Sequence, residues 1–482
     1  MNALRQRAIR GVTWSAVERF SVQFIQFIIS IVLARLLLPS DFGLIAIVMI
    51  IINVLQTINE TGFGAALINK QSRDELDFST VFVLNIFLGF FLYDILYILA
   101  PFISIFFKQP QLTHLSRLIG LNLIITSFVV VQRTKLIIKV DFKTQAKASF
   151  ISVVISGIVG IYTAYNGFGA MALVIQSLLN NALNTLLIWT FVKWKPKLQL
   201  SFNRLKSLFD FAYKLILARL INTVFEEAYS FAIGKVYTPE QLGYFNRAKS
   251  FQTLSSNNIT GIVQRVSTPI LCEVQNDQNQ LSNILIKFIT STAFIVYPLL
   301  FGMFVLAKPL VSVLLTDKWL PAAGMLKILC PVGLFYVIST FNRNVFNATG
   351  RTDWALKTEI MKKIIFIGII IFSIYFGFKA LLISQIVIAI IEFVVDTHYT
   401  QKQIGITPIQ QLKSLNGIIL ASFAMALLVG ISTYFIENNF LKLIIGALVG
   451  ISVYSTICLI FNICDFKFNF RNILKRVISP KS

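Results

Sequence analysis

Apolar runs about twenty residues long recur from Phe24 to Phe461, broken by short polar stretches. A helix needs roughly 20 such residues to cross the hydrocarbon core of a bilayer. Inside hydrocarbon every backbone N–H and C=O must be paired within the protein, so continuous runs mean helices. Barrel strands would instead alternate apolar and polar residues. The charge content agrees: 13% of residues are charged and 56% hydrophobic, against about a quarter charged in soluble domains. The expected fold is therefore an all-α polytopic membrane protein.

About 14 transmembrane helices are expected from the alternation of runs and breaks. They fall near residues 12–38, 42–68, 80–107, 115–138, 148–165, 169–192, 209–236, 242–271, 284–315, 323–347, 354–376, 379–399, 417–436 and 441–464. The net charge of +22 would point to nucleic acid in a soluble chain. Here it follows from cations gathering on the cytoplasmic side of a membrane protein, and no nucleic-acid partner is expected. Arg5, Arg7 and Arg10 precede the first span; Lys139, Lys143 and Lys147 follow the fourth; Lys193, Lys195, Lys197, Arg204 and Lys206 follow the sixth. Lys467, Arg471, Lys475, Arg476 and Lys481 close the chain. Both termini are thus expected in the cytoplasm, with the basic N-terminus retained rather than cleaved. The loops at 69–79 and 273–283 fit less well, because their acids balance or exceed their bases.

No cofactor or metal is expected. Cys272, Cys330, Cys458 and Cys464 form no CxxC pattern, and His114 and His398 are far apart.

The chain reads as two similar halves. Arg19, Ser30, Arg35, Pro39 and Gly43 stand 200 positions before Arg219, Ser230, Lys235, Pro239 and Gly243. Six spans lie between the matching points, so the repeat is parallel, about an axis along the membrane normal. The expected organisation is a six-helix lobe at 1–192, a cytoplasmic linker at 193–208, a second six-helix lobe at 209–400, a linker at 401–416, two further helices at 417–464 and a basic cytoplasmic tail at 465–482.

Several spans carry a polar stripe. At 100° per residue, Ser15, Arg19, Gln23, Gln26 and Ser30 fall within a band of roughly 80°. Arg219, Asn222, Glu226 and Ser230 mark the seventh span; Asn53, Gln56, Thr57, Glu60 and Gly64 the second. Arg247, Ser250, Asn258, Gly261 and Arg265 share a face of the eighth, with Lys249 near one end. Ions facing lipid cost at least about 2.5–3.5 kcal/mol each on insertion scales, so such stripes are expected to face a water-accessible cavity between the lobes. Its cations are Arg19, Arg219, Arg247, Lys249 and Arg265; Gln26, Glu60, Glu226 and Asn258 are candidate polar or gating residues. Guanidinium pairs with phosphate through two hydrogen bonds, so a phosphate or diphosphate head group is the expected guest. The competing use of these arginines is to pair with Glu18, Glu60 and Glu226. Asp94, Glu359, Glu392 and Asp396 are candidates for holding a coupling ion, Na+ or H+, although Glu359 stands four residues before Lys363, an ordinary helix pair.

The loop sequences carry a resemblance. Leu33-Ala34-Arg35-Leu36-Leu37-Leu38-Pro39-Ser40-Asp41-Phe42-Gly43 and Thr61-Gly62-Phe63-Gly64-Ala65-Ala66-Leu67-Ile68 resemble the signatures around the second span of Wzx-like polysaccharide flippases. Leu242-Gly243-Tyr244-Phe245-Asn246-Arg247-Ala248, Lys318-Trp319-Leu320-Pro321-Ala322-Ala323 and Asn347-Ala348-Thr349-Gly350-Arg351-Thr352-Asp353 are similar to later family segments. This is the branch with colanic-acid exporters in the multidrug/oligosaccharidyl-lipid/polysaccharide exporter superfamily. The resemblance implies two six-helix lobes with two extra helices, in a bacterial inner membrane. It implies alternating-access transfer of undecaprenyl-diphosphate-linked oligosaccharide between leaflets for surface-polysaccharide synthesis. Membrane lipids and polysaccharide polymerase or export machinery are the implied partners.

Two other classes compete. A cation-coupled multidrug exporter of the same superfamily would share the architecture, but a site for organic cations should be acidic or aromatic. A membrane enzyme, such as a polymerase or acyltransferase, would need a large outer loop or a histidine within a span; the outer loops are short and His398 sits at a helix end. No enzymatic activity is expected.

Overall fold

The computed structural model describes residues 22–463, and among these every regular element is helical. The first helix, α1 (Val22–Leu36), is followed by α2 (Pro39–Asn69), α3 (Glu75–Phe107), α4 (Gln111–Ser127), α5 (Val130–Ile138), α6 (Phe142–Tyr165), α7 (Ala170–Phe191) and α8 (Phe202–Val236). Then come α9 (Pro239–Glu273), α10 (Gln278–Val305), α11 (Ala307–Leu315), a single 3₁₀ turn (Asp317–Trp319), α12 (Leu320–Ala348), α13 (Thr352–Tyr375), α14 (Phe378–Ile404), α15 (Pro408–Tyr434) and α16 (Asn439–Ile460).

Helix starts follow from local chemistry. The first backbone N–H groups of a helix lack internal acceptors, and short polar side chains supply them. Asp74 accepts from Asp77 N–H while Asp77 reaches back to Asp74 N–H, a reciprocal cap on α3. Thr407 and Gln410 do the same at α15, with Pro408 pre-set at the first helical position. The Asp141 side chain accepts from Thr144 at α6.

Nine helices among the described residues are long and apolar enough to cross a membrane, or ten if α4 and α5, bent by 43° at their junction, form one broken span. The expected fourteen are not all met by that standard: α8, α9 and α13 are long enough to cross but more polar, and α1 is described only from Val22.

Two compact units emerge, Met1–Gly243 and Tyr244–Ser482. In the first, α8 runs antiparallel to α2 along most of its length: Gly62 meets Ile216, Thr57 meets Thr223, Asn53 meets Glu227 and Ile47 meets Gly234, and just past the end of α8 Gly43 meets Pro239 at the start of α9. Glycine at 43, 62 and 234 lets the backbones approach, as small residues do between membrane helices. The pairs α3/α4 and α6/α7 complete this unit. In the second, α12 packs on α14 and α10, α15 on α10 and α16, and α13 on α14. Trp319 is fully buried there beneath the edge of Tyr244, ring centroids 5.9 Å apart.

At one end of the first unit the acids of the loop before α3 are neutralised. Lys70 Nζ lies 2.7 Å from Asp77 Oδ1, Arg204 Nη2 2.8 Å from Asp74 Oδ2, and Lys135 Nζ 2.9 Å from Glu75 Oε1. Trp194 Nε1 also donates to Glu75, and the backbone N–H groups of Lys197 and Ser201 donate to Ser79 and Thr80. The acids that left the 69–79 loop short of net positive charge thus meet cations from α5 and from the first turn of α8. The 193–201 segment is stitched to the start of α3.

Candidate functional site

The two copies of the sequence repeat meet inside the first unit. At the start of α2, Asp41 accepts from Leu38 N–H at 2.9 Å; at the start of α9, Gln241 accepts from Thr238 N–H at 3.3 Å. The acid and its amide therefore do the same work in each half. The contact between the two turns is reciprocal. A Cβ at Gly43 would collide with the Pro239 carbonyl, and one at Gly243 with that of Pro39. Glycine is required because backbone, not a movable side chain, fills the space.

Polar residues line several helices, and the structure sorts the predicted ones into different settings. Arg19 lies outside the described residues. Gln26 on α1 is exposed, as are Glu60 on α2, Asp94 on α3 and Arg219 and Glu226 on α8. Part of the predicted stripe on α2 is used in helix packing: the Asn53 amide donates to Glu227 at 2.9 Å and the Thr57 and Thr223 hydroxyls lie 3.1 Å apart. On α8 the packing residues Thr223 and Glu227 sit one position round from Asn222 and Glu226, which leaves Arg219, Asn222 and Glu226 exposed.

Arg133 was not singled out by sequence, yet it is a half-buried cation inside this unit. Its Nη2 donates to Asn184 Oδ1 at 2.8 Å, and its charge acts on Glu60. Asn184 donates onward to Ser149, and Asn181 and Ser177 of α7 both bond Asn122 of α4. Its signal was present in the sequence as an arginine inside the apolar run at 115–138.

In the second unit, α9 carries Arg247, Lys249, Asn258 and Arg265. Arg247 is half-buried with its guanidinium 5.8 Å from the centre of the Trp319 ring, within cation–π range. Lys249 is half-buried near Phe245, Asn258 is half-buried, and Arg265 is exposed. Arg247 and Arg265 lie about 27 Å apart along an unbroken helix, at 1.5 Å per residue. The predicted cations are thus divided, Arg219 in the first unit and Arg247, Lys249 and Arg265 in the second.

Three of the four candidate ion-binding acids gather in the second unit; Asp94 stands in the first. Lys362 Nζ lies 2.7 Å from Glu359 Oε1 and 2.9 Å from Asp396 Oδ1, and Arg343 Nη1 is 3.7 Å from Asp396 Oδ2. Glu392, one turn before Asp396, lies in the field of the same two cations. The sequence pairing of Glu359 with Lys363 is replaced in direct contact by Lys362: three residues on, the side chain turns inward toward α14 and reaches both carboxylates. Among the described residues no group of three or more His, Cys, Asp or Glu side chains is arranged to hold a metal ion.

The second unit also carries a groove of about 710 Å³ between α10, α12 and α15. Its lining is hydrocarbon, including Phe301, Phe304, Leu334, Phe423 and Leu427, apart from the Tyr434 hydroxyl and the Cys330 thiol.

Comparison with known proteins places this arrangement. Residues 32–324 match the model of the polysaccharide biosynthesis protein family. The chain belongs to that family. It is 25% identical over 358 residues to the teichuronic acid biosynthesis protein TuaB of Bacillus subtilis (strain 168), covering 74% of each chain. It is 23% identical over 371 residues to the lipopolysaccharide biosynthesis protein WzxC of Escherichia coli (strain K12), covering 77% of this chain and 75% of that one. The fold matches that of a lipid II flippase, MurJ, in an inward closed conformation, with TM-score 0.73, 19% identity and coverage of 93% and 98%. It also matches an inward-facing multidrug resistance MATE family transporter of the MOP superfamily, with TM-score 0.62, 18% identity and coverage of 80% and 98%. This member of the polysaccharide biosynthesis family is an all-α polytopic membrane protein with a transporter fold.

Proposed function

We propose that the chain is a flippase that moves undecaprenyl-diphosphate-linked oligosaccharide from the inner to the outer leaflet of a bacterial inner membrane, for surface-polysaccharide synthesis. The observation that carries the reading is a set of arginines within membrane-length helices of a transporter fold: Arg219 exposed on α8, Arg247 half-buried and Arg265 exposed on α9. A charge inside a span is costly unless it faces water, protein or a charged guest, and guanidinium is suited to diphosphate. Arg19, Arg219, Arg247, Lys249 and Arg265 are the residues assigned to the diphosphate, with Gln26, Glu60, Glu226 and Asn258 as their polar surroundings. Arg133 joins them as the cation that acts on Glu60.

The substrate has one charged end and one long apolar end. The hydrocarbon groove between α10, α12 and α15 suits the polyprenyl chain, which gains no hydrogen bonds from a protein and loses none in such a lining. Names among the relatives point the same way, among them a succinoglycan biosynthesis transport protein of Rhizobium meliloti and a probable low-salt glycan biosynthesis flippase of Haloferax volcanii. Both termini are assigned to the cytoplasm. The lysine- and arginine-rich segments after the fourth and sixth spans come from the same end of the first unit as the Asp74–Arg204 and Glu75–Lys135 pairs, which supports that orientation. The lobes are assigned to 1–192 and 209–400. A coupling ion and contacts with polymerase or export machinery complete the proposal.

The test is leaflet accessibility of undecaprenyl-diphosphate-linked glycan in proteoliposomes, comparing the intact protein with Arg219→Ala and Arg247→Ala. Translocation that falls at least tenfold in the variants, with unchanged melting, supports both the activity and the site. Translocation unaffected by either change keeps the activity and discards the site. No translocation, together with uptake of a small cationic drug, selects the multidrug-exporter reading.

A further inference from the structure

Residues 192–201 join α7 to α8 without regular secondary structure, yet they are pinned in place. Exposure alternates along them: Val192, Trp194 and Pro196 are half-buried, while Lys193, Lys195 and Lys197 are exposed. Successive side chains of an extended chain point to opposite faces, so one face is anchored and the other is three lysines in a row. Val192 packs against the cluster of Leu136, Ala148 and Ile188. The Trp194 indole donates to Glu75 at 2.6 Å, its ring meets Phe82 edge-on at 5.8 Å, and the Lys135 ammonium lies 4.3 Å from the ring's centre. The backbone N–H groups of Lys197 and Ser201 donate to Ser79 and Thr80. Keeping positive charge on one side of a membrane needs no such order, which costs conformational entropy; a loose loop would serve. The acids of the adjoining loops are turned inward. Asp74 pairs with Arg204, Asp77 with Lys70 and Glu75 with Lys135, and Asp141 caps α6. Lys197 adds its charge near Glu75 without touching it. Among the described residues no carboxylate pairs at contact distance with Lys139, Lys193, Lys195 or Lys197.

Two residues beside these lysines have strained backbones. Leu198, next to Lys197, has φ +24° and is 75% exposed; Val140, next to Lys139 at the end of α5, has φ +56° and is 44% exposed. A branched side chain in left-handed backbone is unfavourable and persists only where its surroundings fix it. Each residue thus holds an apolar side chain outward beside a cation, at the end of a membrane-spanning element. The two turns adjoin, because Lys135, one turn before Lys139, is the lysine lying over Trp194. In water an outward leucine or valine gains nothing. At the boundary between head groups and acyl chains it is buried while the lysine beside it meets phosphate.

We propose that this strap, with the adjoining Lys139–Val140 turn, is a docking surface for the anionic phospholipid head groups of the leaflet on its side, the inner one with both termini in the cytoplasm. Lys193, Lys195, Lys197 and Lys139 meet phosphate as ammonium point charges, and Leu198 and Val140 dip among the first carbons of the acyl chains. Trp194 is the positioning residue, because its anchorage decides which face of the strap carries the lysines. An acidic protein would suit the lysines alone; the outward Leu198 and Val140 beside them favour a lipid surface. The docking surface rests on the chain spanning a membrane and not on what it transports.

Full-length protein in lipid nanodiscs tests this, with an environment-sensitive dye on Gln199→Cys in a background lacking Cys272, Cys330, Cys458 and Cys464. With phosphatidylglycerol in the disc the dye should emit further to the blue and be quenched by a lipid-borne nitroxide; with phosphatidylcholine alone it should do neither. Salt at about 1 M, where the screening length is about 3 Å, should reverse the effect. Short-chain phosphatidylglycerol titrated into unlabelled protein in detergent, read as a rise in melting temperature, gives the affinity independently of the dye. Each lysine near an anionic surface contributes roughly a fivefold gain, so Lys193→Ala/Lys195→Ala/Lys197→Ala should weaken binding on the order of a hundredfold. Its melting without lipid should be unchanged, since all three side chains are exposed. Trp194→Leu should lose much of the dye response while keeping every lysine, which charge alone would not produce. The same dye response in both kinds of disc overturns the proposal, as does a phosphatidylglycerol response that survives the triple change. A response to soluble polyglutamate in place of the lipid overturns it in favour of an acidic protein partner, and a response to soluble diphosphate alone in favour of a free phosphate ligand.

Discussion

Gly43→Ala should damage this protein far more than a glycine-to-alanine change in a helix ordinarily does. Alanine favours a helix over glycine by up to about 1 kcal/mol. At Gly324 in α12 a Cβ would meet nothing within 4 Å, so Gly324→Ala should hold or raise stability. At Gly43 the added Cβ would overlap the Pro239 carbonyl, and even Pro239 Cα would be 2.9 Å away. Carbon atoms rest about 3.5–4.0 Å apart. With the Pro239 carbonyl carbon only 2.4 Å from the added Cβ, the two turns must separate by roughly an ångström or more, and no rotamer change relieves a backbone clash. Overpacking of this kind costs about 1–3 kcal/mol, and the unyielding neighbour argues for the upper end. Net of helix propensity, a loss of about 2 kcal/mol is expected. Thermal melting of detergent-purified protein, followed by tryptophan fluorescence, should place Gly43→Ala below the intact protein and Gly324→Ala at or above it. Gly243→Ala should match Gly43→Ala, because its Cβ would press on Pro39 in the same way. If Gly43→Ala and Gly324→Ala melt together, the reciprocal contact is not part of the folded protein.

Other perturbations follow from the same packing. Lys362→Met leaves Asp396 buried without its closest cation and should cost about 3–5 kcal/mol, the range for breaking a buried pair, with partial recovery in Lys362→Met/Asp396→Leu; melting of the three proteins checks it. Asn342 and Gln411 exchange two buried amide hydrogen bonds, so Asn342→Leu should cost about 1–3 kcal/mol and Asn342→Leu/Gln411→Leu less than the sum of the single changes, measured as a double-mutant cycle. Asp74, in the loop before α3, is held below the usual carboxylate range by the Asp77 N–H it accepts and by nearby Arg204. A lowered folded-state pKa stabilises above the unfolded value and is lost as pH falls through the folded one, so Asp74→Asn should flatten the loss of thermal stability below about pH 4.

Much was legible in the sequence because two of its signals are local. Hydrocarbon requires long apolar runs, so a membrane-spanning helical fold could be read along the chain without knowing any contact. The repeat was equally local: Pro39, Asp41 and Gly43 against Pro239, Gln241 and Gly243 need only a count of 200 positions. The acids Glu359, Glu392 and Asp396 drew notice for the same reason, as ions where ions are expensive. Which groups meet was decided by tertiary structure. Helix periodicity fixes the direction of a side chain around its own axis, but not which neighbouring helix lies there. Asn53 and Thr57 therefore read as part of a polar stripe, and only the placement of α8 turned them into packing contacts with Glu227 and Thr223. For the same reason Lys363 seemed the partner of Glu359, whereas α14 brings Asp396 to Lys362 and makes that lysine the shared cation. The two Pro-X-X-X-Gly turns were visible as a pattern in the chain. That each glycine exists to admit the other turn's proline carbonyl is a fact of close approach across 200 residues, which no single segment encodes.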